Sequence, residues 1–150
     1  MAQVPIAEGL FTWPSDDPRL IASGCADCDT VVFPSQAFCP GCGSAEVTEK
    51  LLEPKGSLYT WTTQSFPPVA PPYLGNTDKK TFEPFGIGWV QVSDTLMIES
   101  RLTENDPEKL SFGMPVELVV VPLTVDDDGN DVLSFAFRPV HPRFGAQPAN

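Results

Sequence analysis

Cys25-Ala26-Asp27-Cys28 and Cys39-Pro40-Gly41-Cys42 enclose the stretch of sequence that decides the fold, with ten residues between the two pairs. Two cysteines separated by two residues place both thiolates on one tight turn, and two such turns can converge on one tetrahedral metal ion. The chain has no other cysteine. The spacing therefore predicts a zinc ribbon in which these four side chains hold a structural metal and leave no ligand position open for catalysis.

Three chemical states of the four thiols fit this spacing. Zinc is the first choice, iron in a rubredoxin-like site is the second, and ligand type alone does not separate the two. A pair of disulfides would be favoured only in an oxidising compartment. Met1 to Leu10 lacks a basic stretch followed by an apolar core, and no window approaches the roughly 18 apolar residues of a membrane span. We therefore expect a cytoplasmic protein with metal-bound cysteines and no membrane partner.

Composition restricts both the fold and the partners. The chain has 150 residues, a formal net charge of −11, 17 prolines and 11 glycines. So many turn-forming residues leave little room for long helices and favour a mostly β protein. An acidic chain with no basic stripe repels phosphate backbones, so we predict no nucleic-acid partner.

Five apolar-rich runs predict strands after the ribbon, at residues 57–66, 86–92, 95–102, 115–124 and 132–140. Between the third and fourth runs, Asn105-Asp106-Pro107-Glu108 has the residues of a helix start, and Gly113 ends that segment. Three strands, a short helix and two strands follow the element order of an OB barrel. The predicted fold is mainly β, a rubredoxin-like zinc ribbon followed by a five-stranded OB-fold barrel with one short helix.

The same patterns divide the chain into residues 1–20 as an N-terminal arm, 21–50 as the zinc ribbon, 51–143 as the OB-fold domain and 144–150 as a C-terminal tail. Phe11 and Trp13 are isolated large apolar residues of the arm, and the sequence leaves open whether they pack on this chain or on another subunit. We predict a partner interface that includes these two residues together with Phe66 and Phe85.

Two loops border the usual ligand face of an OB barrel, one between its first and second strands and one between its fourth and fifth. The first loop contains Tyr73 and the only adjacent pair of lysines, Lys79 and Lys80. We predict that these three residues bind substrate. The lysines would contact a phosphate of a nucleotide-like ligand or an acidic partner surface, whereas the alternative is a solvated loop tip. The second loop, Asp126 to Asp131, lacks the spacing of a calcium site and predicts a hairpin turn built around Asp-Gly.

No set of catalytic residues is evident. His141 is the only histidine, and neither a Gly-x-Ser-x-Gly elbow nor a glycine-rich phosphate loop occurs. Glu99 and Glu117 fall on predicted strands, where carboxylates ordinarily face solvent. We therefore predict that no residue of this chain is catalytic and that any chemistry takes place on a partner.

Several segments together resemble one family, the acyl-CoA-associated proteins with a rubredoxin-like zinc ribbon followed by an OB barrel, long catalogued as a domain of unknown function. Beyond the cysteine pairs, the resemblance rests on Val32-Phe33-Pro34, Phe38 to Ser44, Gly56 to Trp61 and Phe112 to Val116. It covers nearly the whole chain. The sequence departs from many relatives at Glu83 to Gly86, where those relatives have a Pro-Tyr step, and this leaves the ligand specificity of the preceding loop open.

The resemblance implies an accessory subunit that stabilises a thiolase-like enzyme of the lipid-transfer-protein type and borders its acyl-CoA site, in a heterotetramer. The reaction would be retro-aldol or thiolytic cleavage at a CoA thioester, including steroid side chains, with zinc as structural cofactor and acyl-CoA as ligand of the complex. One alternative is a stand-alone module that binds acyl-CoA or an acyl chain, with Pro67 to Phe85 as its lid. Another is a scaffold that contacts no ligand.

Overall fold

The computed structural model describes residues 2–67, 80 and 82–140. Over these residues the chain forms nine strands and no helix. The strands are β1 (Gln3–Pro5), β2 (Ile21–Cys25), β3 (Val31–Val32), β4 (Val47–Leu51), β5 (Lys55–Gln64), β6 (Phe85–Ser93), β7 (Leu96–Leu102), β8 (Pro115–Val125) and β9 (Asp131–Pro139). Each of the five strands predicted for the barrel is present, with boundaries within two residues of their predicted positions.

Strands β2, β3 and β4 form the small antiparallel sheet of the ribbon, with β2 in the centre. The β2–β4 register runs from Ile21 opposite Leu51 to Cys25 opposite Val47. Because β2 ends at Cys25, the chain leaves the sheet at the first cysteine and can turn sharply there. The second cysteine pair lies on the connection between β3 and β4, so one small sheet carries both turns.

Strands β5 to β9 close into a barrel in the order β9-β7-β6-β5-β8, and pairing of β8 with β9 completes the circle. All barrel pairings are antiparallel except β7–β9, which is parallel and joins only Leu102 to Phe137. Numbered within the barrel, this order is 1-2-3-5-4, which is a five-stranded Greek-key barrel of the OB type. The interior is filled by Leu58, Val90 and Phe137, each 0% exposed.

The predicted short helix between β7 and β8 is wrong, since this part of the described chain forms turns instead. The side-chain carboxylate of Asp106 accepts a hydrogen bond from the backbone N–H of Glu108 at 2.9 Å. The backbone carbonyl of Asp106 accepts one from the backbone N–H of Lys109, also at 2.9 Å. Leu110 then enters the core, and Gly113 donates to the carbonyl of Leu58 at 2.6 Å. The segment is too short to offset the cost of helix nucleation once its end is fixed to β5.

The N-terminal arm packs on its own chain. Its first residues form β1, which pairs in parallel with β9. Residues 10–20 then fold back as a hairpin, in which Phe11 pairs with Leu20 and Thr12 donates to the carbonyl of Arg19. Phe11 and Leu20 belong to the same core cluster as Leu58 of the barrel. Across the described residues, no helix is long and apolar enough to cross a membrane.

Candidate metal centre and ligand face

The four cysteine sulfurs lie in one cluster, all within 4.8 Å of one another. The Sγ atoms of Cys25 and Cys42 are 3.7 Å apart, and those of Cys28 and Cys39 are 3.5 Å apart. Tetrahedral zinc with Zn–S bonds of about 2.3 Å requires sulfurs separated by about 3.8 Å. Each close pair joins one sulfur from each turn, so the four thiols fit a single four-coordinate ion.

The two cysteine turns repeat the same backbone hydrogen bond. Asp29 donates its N–H to the carbonyl of Cys25 at 3.0 Å, and Gly43 donates to the carbonyl of Cys39 at 2.8 Å. Asp29 and Gly43 also occupy corresponding left-handed positions, with φ of 62° and 78°. The matching turns explain how Cys-x-x-Cys spacing aims two thiolates from each turn at one point.

The two thiols of the second turn, Cys39 and Cys42, have pKa values shifted in opposite directions. Burial raises the pKa of Cys39. Hydrogen bonds from the backbone N–H groups of Cys42 and Gly41, together with those from the thiols of Cys28 and Cys25, outweigh that effect and bring the pKa to about 6. The backbone N–H of Ser44 lowers the pKa of Cys42, but neighbouring sulfurs, that of Cys28 first, raise it to about 12. In the metal-free protein at neutral pH, Cys39 is a thiolate and Cys42 a thiol, so binding a metal releases protons.

Gly41 lies in the second cysteine turn, where there is little space for a side chain. A Cβ at this position would lie 3.0 Å from the Oγ1 of Thr30 and 3.6 Å from the Sγ of Cys39. The Gly41 N–H also donates to that sulfur at 3.3 Å. A side chain at position 41 would therefore crowd Thr30, whereas its distance to the sulfur would be ordinary contact.

The first ligand-face loop falls mostly outside the described part of the chain. Tyr73 and Lys79 lie there, so their predicted contact with substrate stays a prediction. Lys80 is described and exposed. Phe85 is the first residue of β6 after this loop. The guanidinium carbon of Arg101 lies 3.9 Å from the centroid of its ring. Phe85 also borders a cavity of about 270 Å³.

The second ligand-face loop is the predicted hairpin turn. Asp126 accepts hydrogen bonds on one carboxylate oxygen from the N–H groups of Asp128 at 3.0 Å and Asn130 at 2.8 Å. These hydrogen bonds, that of Asn130 first, lower the pKa of Asp126. Gly129 takes the left-handed position, with φ of 84°. The carboxylate thus organises its own loop, in agreement with the prediction of a turn.

The predicted interface residues occupy very different environments. Phe11 is only 4% exposed, and Trp13 is half-buried against it, with ring centroids 6.5 Å apart. Phe66 is 77% exposed and Phe85 is half-buried. Phe11 therefore has little surface left for a partner, whereas Phe66 has most of its ring free.

The structure does not bring the strand carboxylates together. Glu117 on β8 forms an ion pair with Arg138, with Nε and Oε2 2.6 Å apart. Glu99 lies exposed on β7, which does not neighbour β8 in the barrel.

Sequence reasoning did not identify Trp89 on β6 or Met97 on β7 as surface residues, although they are 44% and 42% exposed. Each directly neighbours a buried residue, Val90 or Ile98, and that alternation is the signal that could have placed them on the outer face.

Comparisons with known proteins agree with this architecture. Residues 13–48 match the family described as "ChsH2, rubredoxin-like zinc ribbon domain", and residues 49–121 match "ChsH2, C-terminal OB-fold domain". A DUF35 domain-containing scaffold protein of Pyrococcus furiosus is 31% identical over 123 residues, covering 81% of this chain and 84% of that protein. A protein of the same description from Methanocaldococcus jannaschii is 33% identical over 126 residues, covering 81% and 82%.

One solved structure also resembles the chain. It is described as "Ltp2-ChsH2(DUF35) aldolase" and aligns with a TM-score of 0.58 and 26% sequence identity. The alignment covers 81% of this chain and 84% of the solved chain. The likeness therefore extends over both the ribbon and the barrel.

Proposed function

Because the chain belongs to the family of DUF35 domain-containing scaffold proteins, we propose that it is a non-catalytic accessory subunit of an aldolase complex that acts on acyl-CoA thioesters. The observation that carries this proposal is the likeness, over 81% of the chain, to the solved Ltp2-ChsH2(DUF35) aldolase. The catalytic subunit would be a thiolase-like enzyme of the lipid-transfer-protein type. This chain would stabilise that enzyme and border its substrate site in a cytoplasmic heterotetramer.

The metal in this proposal is one structural zinc ion held by Cys25, Cys28, Cys39 and Cys42. Support comes from the close sulfur pairs at 3.5 and 3.7 Å and from the match to a zinc-ribbon family. Four thiolates fill a tetrahedral shell, so the ion stabilises the ribbon and has no open position for substrate. Two of the four, Cys25 and Cys39, are buried, which ties the ion to the folded core.

The chemistry in this proposal is assigned to the partner. In this chain the four cysteines surround the metal position, Glu117 is paired with Arg138, and His141 lies outside the described residues. Retro-aldol or thiolytic cleavage at a CoA thioester, for example of a steroid side chain, would use a nucleophile or base of the enzyme subunit. Tyr73, Lys79 and Lys80 would contact the acyl-CoA.

A second function is favoured by one observation, an apolar cavity of about 310 Å³ beside Phe85, Ile87 and Leu123, with Arg101 at its edge. A cavity of this size and lining suits part of an acyl chain, with a cation available for a polar head. In this alternative the chain binds acyl-CoA or an acyl chain without a partner.

The decisive experiment is to tag the full-length protein in its source cells, purify it gently, and determine the native mass and the co-purifying proteins by mass spectrometry. We expect an aldolase or thiolase-like subunit in fixed ratio and one zinc per chain by elemental analysis. We also expect cleavage of an acyl-CoA substrate to require both subunits. A lone monomer that binds acyl-CoA directly would contradict the accessory role and support the second function.

A further inference from the structure

Two apolar grooves adjoin on the outside of the barrel. The first, of about 330 Å³, lies where the ribbon meets the barrel, with Leu10 and Phe33 on one side and Trp89 and Met97 on the other. Its floor includes Phe135, whose ring meets that of Phe33 edge to face, with centroids 5.6 Å apart. This groove therefore follows the junction between the two parts of the molecule.

The second groove is the apolar cavity of about 310 Å³ described above, which separates β7 from the β8–β9 hairpin. It opens there because β7 and β9 pair only at Leu102 and Phe137. Ile87, Val121 and Leu123 provide much of its apolar lining. Glu99 and Phe135 line both grooves, so the two form one continuous surface, which we call the junction surface.

Large side chains of the junction surface remain accessible. Trp89 and Met97 keep 44% and 42% of their area exposed although they sit in a concave region. Tryptophan and methionine are enriched in protein interfaces, and tryptophan in particular anchors into partner pockets. An exposed apolar surface marks a binding site for a protein or a ligand, and the exposed tryptophan favours a protein.

The charged residues of the junction surface indicate what kind of protein segment could bind there. Glu99 lies directly opposite Trp89 in the β6–β7 register, in the middle of the junction surface. In the described part of the chain it forms no ion pair, and neither does Arg101, which lies over the Phe85 ring. A protein that covered the surface would remove water from the Glu99 carboxylate. It would therefore have to supply a cation in exchange.

Net charge disfavours a second copy of this chain as the protein that covers the junction surface. Two copies would bring together surfaces of chains that each carry a formal net charge of −11. The electrostatics favour a different and more basic protein.

Resting on the proposed function, we infer that the junction surface is where the enzyme subunit docks, through an apolar segment that carries an arginine or lysine. The apolar side chains of that segment fill the grooves beside Trp89, Met97 and Phe135. Its cation pairs with Glu99. The inference adds the location and the chemistry of the contact to the proposed assembly.

Site-specific photo-cross-linking in the source cells tests the location. A photoreactive amino acid replaces Met97 in the junction surface or, as a control, Phe112, which is 73% exposed and lines neither groove. We expect position 97 to cross-link to the aldolase or thiolase-like subunit and position 112 to give little or no such product. A cross-link from position 97 to a second copy of this chain would overturn the inference. So would a cross-link from position 97 to an acyl-CoA in the isolated protein.

Affinity measurements test the chemistry of the contact. For the purified subunits, we expect Trp89→Ala and Glu99→Lys each to weaken the complex by roughly tenfold or more, and Glu99→Gln by less than Glu99→Lys. The controls Phe112→Ala and Glu108→Lys remove an aromatic ring and reverse a charge at exposed positions outside the junction surface, and we expect the affinity to change within about twofold. Circular dichroism and thermal melting establish that each variant is folded.

The outcomes of these experiments test the proposed function and the proposed docking site separately. If no enzyme subunit co-purifies with the wild-type protein, the proposed function is wrong, and the docking inference is wrong with it. If wild-type protein forms the complex but Trp89→Ala and Glu99→Lys bind as tightly as their controls, only the junction surface is wrong as the docking site.

Discussion

At the scale of the residue, Phe11 shows how the arm becomes part of the core. It is 4% exposed, lies edge-on to Trp13 and pairs across the backbone with Leu20, itself 2% exposed. Burial of an aromatic ring removes a large apolar area from water. The arm is therefore held by the same hydrophobic stabilisation as the barrel.

We predict that Phe11→Ala lowers the free energy of unfolding by about 3–5 kcal/mol, because it leaves a cavity in the core cluster. Phe66→Ala removes the same ring from a position that is 77% exposed, and we expect a change within about 0.5 kcal/mol. Urea denaturation followed by tryptophan fluorescence measures both. Equal losses for the two variants would mean that the arm does not contribute to the core.

At the scale of the element, the start of β5 is shaped by a close approach to β6. Gly56 lies where a Cβ would come within 2.5 Å of the carbonyl oxygen of Gln91 and 2.8 Å of a methyl group of Val90. Just beyond it, the β5–β6 register shifts between Leu58 and Thr60. Such irregularities bend strands and help a sheet close into a barrel. The glycine is therefore required by the closed form of the sheet.

We predict that Gly56→Ala destabilises the protein by about 1–3 kcal/mol, because the backbone of β6 must move to admit the methyl group. Gly24→Ala in β2 is the matched control, since the nearest atoms to its Cβ lie at 4.0 Å, and we expect an effect of less than about 1 kcal/mol. Thermal unfolding of the two variants compares them directly. A Gly56→Ala protein as stable as the control would show that β6 relaxes freely at this point.

At the scale of the whole molecule, ribbon and barrel share one core. Ala22 of the ribbon belongs to the same buried cluster as Leu58 and Phe137 of the barrel. Binding free energies of structural zinc in zinc-finger peptides are about 10–16 kcal/mol. Loss of the metal should therefore affect the barrel as well as the ribbon.

We predict that chelation of the metal, or Cys39→Ser, lowers the melting temperature of the whole protein in a single transition, measured by calorimetry. In the metal-free protein the pKa of Cys39 is lowered to about 6. Because protons compete with the metal for the thiolates, the apparent metal affinity should fall as the pH falls, and protonation of Cys39 adds to that fall below about pH 6. A barrel transition that is unchanged after metal removal would contradict this coupling.

The sequence alone determined those features that depend on neighbouring residues. Cys-x-x-Cys spacing fixes which sulfurs share a turn, and Asp126 to Asp131 contains the donors and acceptors of its own hairpin. The alternation within β5 to β9 located all five barrel strands, because side chains of a strand point alternately to its two faces. Family resemblance supplied the expectation of a partner.

Only the tertiary structure decided features that depend on distant contacts. Pairing of β1 with β9 and burial of Phe11 could not be predicted, because an arm with no periodicity gains order only from the surface it meets. The predicted short helix does not form, because the hydrogen bond from Gly113 to Leu58 of β5 fixes the end of the segment and Leu110 is buried in the core. The junction surface exists because β7 and β9 diverge beyond one shared pair and the ribbon packs beside them. No local pattern of the sequence encodes that spacing.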